Sequence, residues 1–280
     1  MNDNYSYHFG KKVYDLSSRT YIMGVLNVTP DSFSDGGRFL NPDDAVAHAI
    51  QMENDGADFI DIGGMSTRPG AEEISPDEEM KRIIPVISAL KNEIRIPISV
   101  DTYRSDVADS ALESGALIVN DISGFNLDAN MPKVIAKHKA SAIVMHMKGT
   151  PKNMQENPEY TDVVAEVLKY FEDAVWKANV EAIDQLIIDP GIGFGKTLEH
   201  NLKLLKNINE FKRLDCPVMI GISRKSMISK MQNSPVDDRL EGTISLNAIA
   251  ALNGVNILRV HDVKACRKAS IIVDAYKKVE

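Results

Sequence analysis

The amino-acid sequence predicts an α/β fold, specifically a (β/α)8 TIM barrel preceded by a short N-terminal β-hairpin. Three observations lead there. Eight short apolar, β-branched runs recur from residue 21 onward, longer amphipathic stretches separate them, and polar residues gather where the runs end. At 280 residues the chain is near the size, about 250 residues, at which such barrels form around one core. An open doubly wound sheet is the weaker alternative because it usually has fewer strands. One domain over residues 1–280 is expected, since no linker or low-complexity tract interrupts the chain.

The elements follow in order. Alternation of Tyr7, Phe9, Val13 and Tyr14 about a Gly10-Lys11 turn predicts the hairpin, placed to close the barrel floor. The eight strand-like runs are 21–27, 58–63, 97–101, 117–121, 142–146, 186–189, 217–222 and 256–261. Helical patterns fill 42–55, 76–93, 104–114, 160–182, 198–211, 243–253 and 263–278. Asn41 before Pro42 and Ser75 before Pro76 read as N-caps, and Glu78, three residues after Ser75, suggests a capping box.

Composition narrows the function classes. Hydrophobic residues make up 44% and charged residues 26%, ordinary values for a globular protein. No apolar run approaches the roughly 20 residues of a membrane span, and the first residues lack a secretory pattern, so no membrane partner and a cytoplasmic location are expected. The two cysteines, Cys216 and Cys266, lack zinc-site spacing and read as reduced and structural. A net charge of -8 argues against nucleic acid as a partner, so an anionic substrate must be caught by a few convergent cations.

Barrel chemistry sits at the carboxyl ends of the strands. Those ends read Asn27, Asp61, Asp101, Asn120 with Asp121, His146, Asp189, Ser223 with Arg224 and Lys225, and Arg259 with His261 and Asp262. Any one Asp or Asn there reads equally as a helix cap, and Arg259 as the partner of Asp262. Caps do not account for His146, Lys225, Arg259 and His261 at the same rim. Asp101, Asn120, Asp189 and Lys225 together offer the donors and acceptors that read the edge of a flat heterocycle. Asn27, Arg259 and His261 suit an anion, and the Asn27 amide oxygen also suits a hard cation such as Mg2+.

Two loops longer than a minimal connection follow the first two runs, 28–37 and 63–70, and read as lids; Phe33 in the first is placed to stack on an aromatic substrate. The segment Pro190-Gly-Ile-Gly-Phe-Gly-Lys-Thr197 nearly matches a phosphate-binding loop, but Pro190 stands where that motif needs glycine. Its glycines instead permit a tight turn beside a ligand, with Phe194 held over the pocket.

Leu26-Asn-Val-Thr-Pro-Asp-Ser-Phe-Ser-Asp-Gly-Gly37, Asp61-Ile-Gly-Gly-Met-Ser-Thr-Arg-Pro-Gly70, Ser99-Val-Asp-Thr102, Val119-Asn-Asp-Ile122, Met145-His-Met147, Ile188-Asp-Pro-Gly191, Gly221-Ile-Ser-Arg-Lys-Ser226 and Arg259-Val-His-Asp262 resemble the dihydropteroate synthases, over essentially the whole chain. That resemblance implies a pterin-binding barrel homodimer that joins 6-hydroxymethyl-7,8-dihydropterin diphosphate to 4-aminobenzoate in folate biosynthesis, releasing diphosphate. Carried over motif by motif, Asp101, Asn120, Asp189 and Lys225 hold the pterin, with Ile122, Met145, Phe194 and Gly221 lining its slot. Asn27, Arg259 and His261 hold the diphosphate, Asn27 partly through Mg2+. Phe33, Thr67, Arg68, Pro69, Lys225 and Ser226 surround 4-aminobenzoate. Asp101, Asp189, Lys225 and Arg259 carry the chemistry. Met65 departs from the Glu that many members have in the second loop, which bears on loop packing more than on chemistry. Methyltetrahydrofolate-dependent methyltransferases share the pterin-binding barrel, and a non-catalytic pterin-binding module is a third reading. The segments around Thr67, Lys225 and Arg259 suit an aminobenzoate and a diphosphate and favour the first.

Overall fold

The computed structural model describes residues 5–29, 42–66, 73–150, 152–235 and 238–279. A two-stranded antiparallel hairpin, β1 (Ser6–Phe9) and β2 (Lys12–Asp15), precedes eight parallel strands. These are β3 (Tyr21–Asn27), β4 (Phe59–Gly63), β5 (Ile98–Asp101), β6 (Ile118–Asp121), β7 (Ser141–Met145), β8 (Leu186–Asp189), β9 (Met219–Ile220) and β10 (Ile257–Val260). They run β8-β7-β6-β5-β4-β3-β10-β9, and a parallel bridge between Ile188 and Val218 joins the two ends, so the sheet closes as the sequence predicts.

Each predicted strand has a counterpart, and two match to the residue. The seventh run, 217–222, shrinks most, to Met219–Ile220. Pro217 has no N–H to donate, and at this seam it accepts instead, its carbonyl taking the Ile188 N–H at 3.0 Å.

The helices are α1 (Pro42–Asn54), α2 (Pro76–Glu93), α3 (Ser105–Ser114), α4 (Met131–His138), α5 (Val163–Val180), α6 (Leu198–Lys206), α7 (Ser226–Gln232), α8 (Leu240–Leu252) and α9 (Val263–Lys277). The predicted helix over 198–211 divides into α6 and a 3-10 turn, Ile208–Leu214. Ser75 caps α2, its hydroxyl accepting the Glu78 N–H at 3.2 Å. The other half of the expected capping box is replaced, since the Glu78 carboxylate takes Arg82 at 2.9 Å. Asn41, the other expected cap, lies outside the described residues.

Two cores organise the molecule. The larger packs helices on the outer strand faces, as where Ile83, Val86, Ile87 and Leu90 of α2 join Ile60 and Ile62 of β4. The smaller fills the barrel floor: Tyr7, Phe9 and Leu16 from the hairpin segment interlock with Met23, Phe59, Ile118, Ile143, Ile187, Met219 and Ile257. Phe9 meets Phe59 edge to face at 5.3 Å, and the buried Tyr7 hydroxyl donates to Leu186 O at 2.8 Å. Full burial of such side chains is worth roughly 2–3 kcal/mol each. The predicted floor hairpin is thus a plug that seals one end and leaves the carboxyl end as the mouth. Cys216 and Cys266 are buried and unpaired, and among the described residues no helix is long and apolar enough to cross a membrane.

Candidate active site at the carboxyl end of the barrel

Strand register sets the base of the site. Asn27 pairs with Gly63, Gly63 with Asp101 and Asp101 with Asn120, so four positions line up across β3, β4, β5 and β6. Gly63 leaves room in the row: a Cβ there would stand 3.7 Å from Asn27 Oδ1 and 3.6 Å from Asp101 Cβ. Across the barrel Met145 is level with Asp189.

Arg259 of β10 ties this row together. Its Nε donates to Asp61 Oδ2 at 2.6 Å and its Nη2 to Asp101 Oδ2 at 2.7 Å. Asn120 Nδ2 adds a bond to Asp61 Oδ2 at 2.9 Å. Asp262 does not hold Arg259; it forms a two-point pair with Arg224, at 3.0 and 2.7 Å. The second oxygens of Asp61 and Asp101 are buried and have no hydrogen-bond partner. A buried carboxylate oxygen without a donor is costly in a finished core and is what a site awaiting a donor-bearing ligand presents.

Lys225, just past β9, reaches the same mouth. Its Nζ donates to Ile192 O and sits 4.7 Å from the centre of the Phe194 ring. Gly221 gives it space, since a Cβ there would lie 3.9 Å from Lys225 Nζ and 3.8 Å from Arg259 Cβ. Asp189 ends β8, buried, its Oδ1 accepting the Gly191 N–H at 2.8 Å. Met145, level with it on β7, and Ile122, just past the end of β6, are also buried. His261 follows β10, its Nδ1 3.1 Å from Ser223 Oγ. Ser226 opens α7, exposed, next to Lys225. The structure thus gathers Asp101, Asn120, Asp189, Lys225 and Arg259 in one mouth. Phe33, Thr67, Arg68 and Pro69 lie outside the described residues.

The electrostatics follow from burial. Desolvation pushes the Asp101 carboxyl up from 3.8 to about 7; Arg259 pulls it down, while Asp61, Glu79 and Asp121 add to the rise. Burial also raises Asp189, against the opposing pull of Lys225. The Lys225 ammonium is pushed down from 10.5 to about 8 by burial, partly offset by Asp189. Burial alone would lower Arg259, but Asp61 and Asp101 more than offset it and its charge is secure. Two acids raised and a lysine lowered within one concavity is the signature of a chemical site.

Several contributors went unassigned in the sequence reading. Asp61 was visible at the rim, but its partner Arg259 lies 198 positions away and no local pattern joins them. Tyr170 of α5 links the ends of β6 and β7 through its hydroxyl, whose one proton is shared between Ser123 O at 2.5 Å and Met145 O at 3.0 Å. Lys196 is buried beneath the mouth. Met65, the departure noted above, brings its sulfur 3.9 Å from the Tyr103 hydroxyl, which donates to Glu73 at 2.8 Å. Among the described residues, the His and carboxylate side chains grouped closely enough for a metal are Asp109, Glu113 and His138. They lie on α3 and α4, away from the mouth, and Asp109 is already committed to Lys137 and His138.

The chain is similar to known proteins over nearly its full length. The pterin binding enzyme family matches residues 23–261. The dihydropteroate synthase of Synechocystis sp. is 46% identical over 269 residues, 95% of this chain and 93% of that protein. That of Escherichia coli is 45% identical over 260 residues, 92% of each. Among solved structures, the Yersinia pestis dihydropteroate synthase in complex with a sulfonamide drug superposes with a TM-score of 0.94 at 40% identity, covering 98% of this chain and all of that one. The Xanthomonas albilineans dihydropteroate synthase in complex with 7,8-dihydropteroate gives 0.86 at 35% identity, covering 96% and 98%.

Proposed function

The chain belongs to the dihydropteroate synthases of the pterin-binding enzyme family, and from that premise we propose that it condenses 6-hydroxymethyl-7,8-dihydropterin diphosphate with 4-aminobenzoate, giving 7,8-dihydropteroate and diphosphate for folate biosynthesis. The observation that carries this reading is Asp101 Oδ1, a buried acceptor without a donor, in the same mouth as Asp189 and Lys225. A pterin edge supplies the donor that Asp101 Oδ1 lacks, further amino and ring N–H groups for Asp189, and a ring carbonyl for the lysine.

In this reading Asp101, Asn120, Asp189 and Lys225 grip the pterin edge, and Ile122, Met145, Phe194 and Gly221 shape the slot around its faces. Arg259 has committed two of its five N–H donors to Asp61 and Asp101; with His261 it serves the diphosphate using others. Asn27 suits a hard cation, because its amide oxygen borders the space that Gly63 leaves open. Asn27 would hold Mg2+ there, and the ion would supply positive charge against the leaving diphosphate. Phe33, Thr67, Arg68, Pro69, Lys225 and Ser226 surround 4-aminobenzoate.

Diphosphate departs first or nearly so, leaving positive charge on the pterin. Asp101 and Asp189 are buried carboxylates aimed at that ring, so their hydrogen bonds strengthen as the charge develops, which lowers the barrier. The amine of 4-aminobenzoate then forms the new C–N bond and loses its proton. The two substrates react directly, so the step passes through no covalent enzyme intermediate and needs no nucleophilic side chain.

The enzyme works as a homodimer, a reading supported by the apolar side chains left exposed on α8 and α9: Ile249, Leu252, Ile271, Ile272 and Tyr276. It works in the cytoplasm, in keeping with two unpaired cysteines. A turnover assay tests the activity: diphosphate release requiring both substrates, with dihydropteroate as product, supports it. Absence of release with both substrates and Mg2+ present refutes it.

A further inference from the structure

Between β8 and α6 the chain turns through three glycines with left-handed backbone, Gly191 at φ 68°, Gly193 at 85° and Gly195 at 64°. Such a turn points its carbonyls away from any helix or strand partner, and each needs a donor. All five from 191 to 195 find one on a side chain. Lys196 Nζ takes Gly191 O and Phe194 O, each at 2.9 Å, and Lys225 Nζ takes Ile192 O. Gln155 Nε2 takes Gly193 O at 2.6 Å and the Tyr160 hydroxyl takes Gly195 O at 2.8 Å.

Lys196 is the hub of this arrangement. It is 2% exposed, and its Nζ also lies 3.2 Å from His146 O and 2.8 Å from His146 Nδ1. An ammonium has three protons, so four acceptors around one nitrogen saturate it. Among the described residues no carboxylate is bonded to Lys196: the acceptors are neutral, and the charge of Asp189 is felt at a distance. A buried lysine bonded to neutral groups makes no strong ion pair; burial disfavours its charge, and the nearby Asp189 opposes that shift. His146 is held neutral by the same burial and by Lys196 itself, pushed down to about 2, so its Nδ1 accepts. Two residues of the loop bracket this hub: Gly191 and Phe194 face Lys196, and Ile192 between them faces Lys225.

We propose that Lys196 is a positioning residue of the condensation: by gathering the carbonyls of His146, Gly191 and Phe194 it fixes the direction of Ile192 O and thereby the placement of the Lys225 ammonium beside Asp189. This rests on the pterin reading above and deepens it. Lys196 touches no substrate, and its effect on pterin affinity passes through Lys225. Tyr160 caps the same loop at Gly195, three residues from Ile192, and does not share that effect.

The test is a double-mutant cycle on the whole enzyme, read by calorimetric titration with 6-hydroxymethyl-7,8-dihydropterin diphosphate. In otherwise unchanged protein, Lys196→Met weakens binding about tenfold or more, while Tyr160→Phe changes it by less than about twofold. In the Lys225→Ala background, Lys196→Met has less than about a twofold further effect, because the group it positions is gone. Losses that multiply in the double variant overturn the proposal, as does an equal loss from Tyr160→Phe. Where Lys196→Met does not fold, Lys196→Gln, which still donates to two carbonyls, carries the same cycle. A chain that folds with neither replacement makes Lys196 a structural requirement and overturns the proposal too. If the unaltered enzyme does not bind the pterin diphosphate, the functional reading itself fails, which is a distinguishable result.

Discussion

Replacing Asp101 by Asn should change how stability depends on pH, in a direction opposite to that of most carboxylates. The side chain is 10% exposed and is held up from 3.8 to about 7, chiefly by burial, despite its bond to Arg259. Between those values the unfolded chain has released this proton and the folded protein has kept it. The folded state therefore binds more protons, so stability falls as pH rises through the window and is level above about 7. About two pH units of that window lie between pH 5 and pH 7, and at about 1.4 kcal/mol per unit the loss is about 3 kcal/mol. Asn is close in shape, its carbonyl still accepts from Arg259, and it does not titrate. Urea unfolding of the ligand-free protein at pH 5 and pH 8 should show Asp101→Asn gaining about 3 kcal/mol more over the parent at the higher pH. The same variant loses the anionic acceptor for the pterin, so activity falls while stability rises, the trade expected of a strained functional group. A stability difference that is the same at both pH values within about 1 kcal/mol would refute the reasoning.

The same site yields further expectations. Lys225→Ala should weaken pterin diphosphate binding by about 1–3 kcal/mol in calorimetry, since it orphans Ile192 O and the partner on the ligand. With Asp101 ionised above about 7 and Lys225 charged below about 8, kcat/KM should rise with pH, peak between the two and fall; a flat profile from pH 6 to pH 9 contradicts this. Gly191→Ala should destabilise by about 3 kcal/mol or more in denaturant melts, because φ is 68° and the new Cβ would collide with His146 O; an unchanged midpoint would show the turn is not fixed. 4-Aminobenzoate should bind tightly only once pterin diphosphate or diphosphate is present, and tight binding to the empty protein would count against the order of events given above.

How far the sequence could be read depended on the distance over which each interaction acts. The strands were legible because β-branched runs buried on both faces need no partner to be recognised, and their polar ends marked the mouth before any contact was known. Two helices passed unnoticed, Met131–His138 and Ser226–Gln232, because two turns are too short for a helical period to stand out. Ser75 was found as a cap, yet the choice of Glu78 between the backbone and Arg82 was settled by a salt bridge one turn along. The site divided the same way. Asp101, Asp189 and Lys225 announced themselves by position, whereas the grip of Arg259 on Asp61 spans 198 residues and the hub at Lys196 depends on where three carbonyls turn. Such contacts are properties of the closed barrel, which no stretch of sequence carries alone.

The thin closure between β8 and β9 has a consequence for the resting enzyme. One bridge, Ile188 to Val218, joins those strands where their neighbours share ladders, and Asp189 and Lys225 stand on its two banks. A substrate that touches both acts as a clasp across the least secured joint of the ring, so hydrogen exchange along 186–189 and 217–220 should slow most sharply on loading. Occupancy and mechanical closure are then one event, and an empty protein is one whose hoop is only loosely fastened.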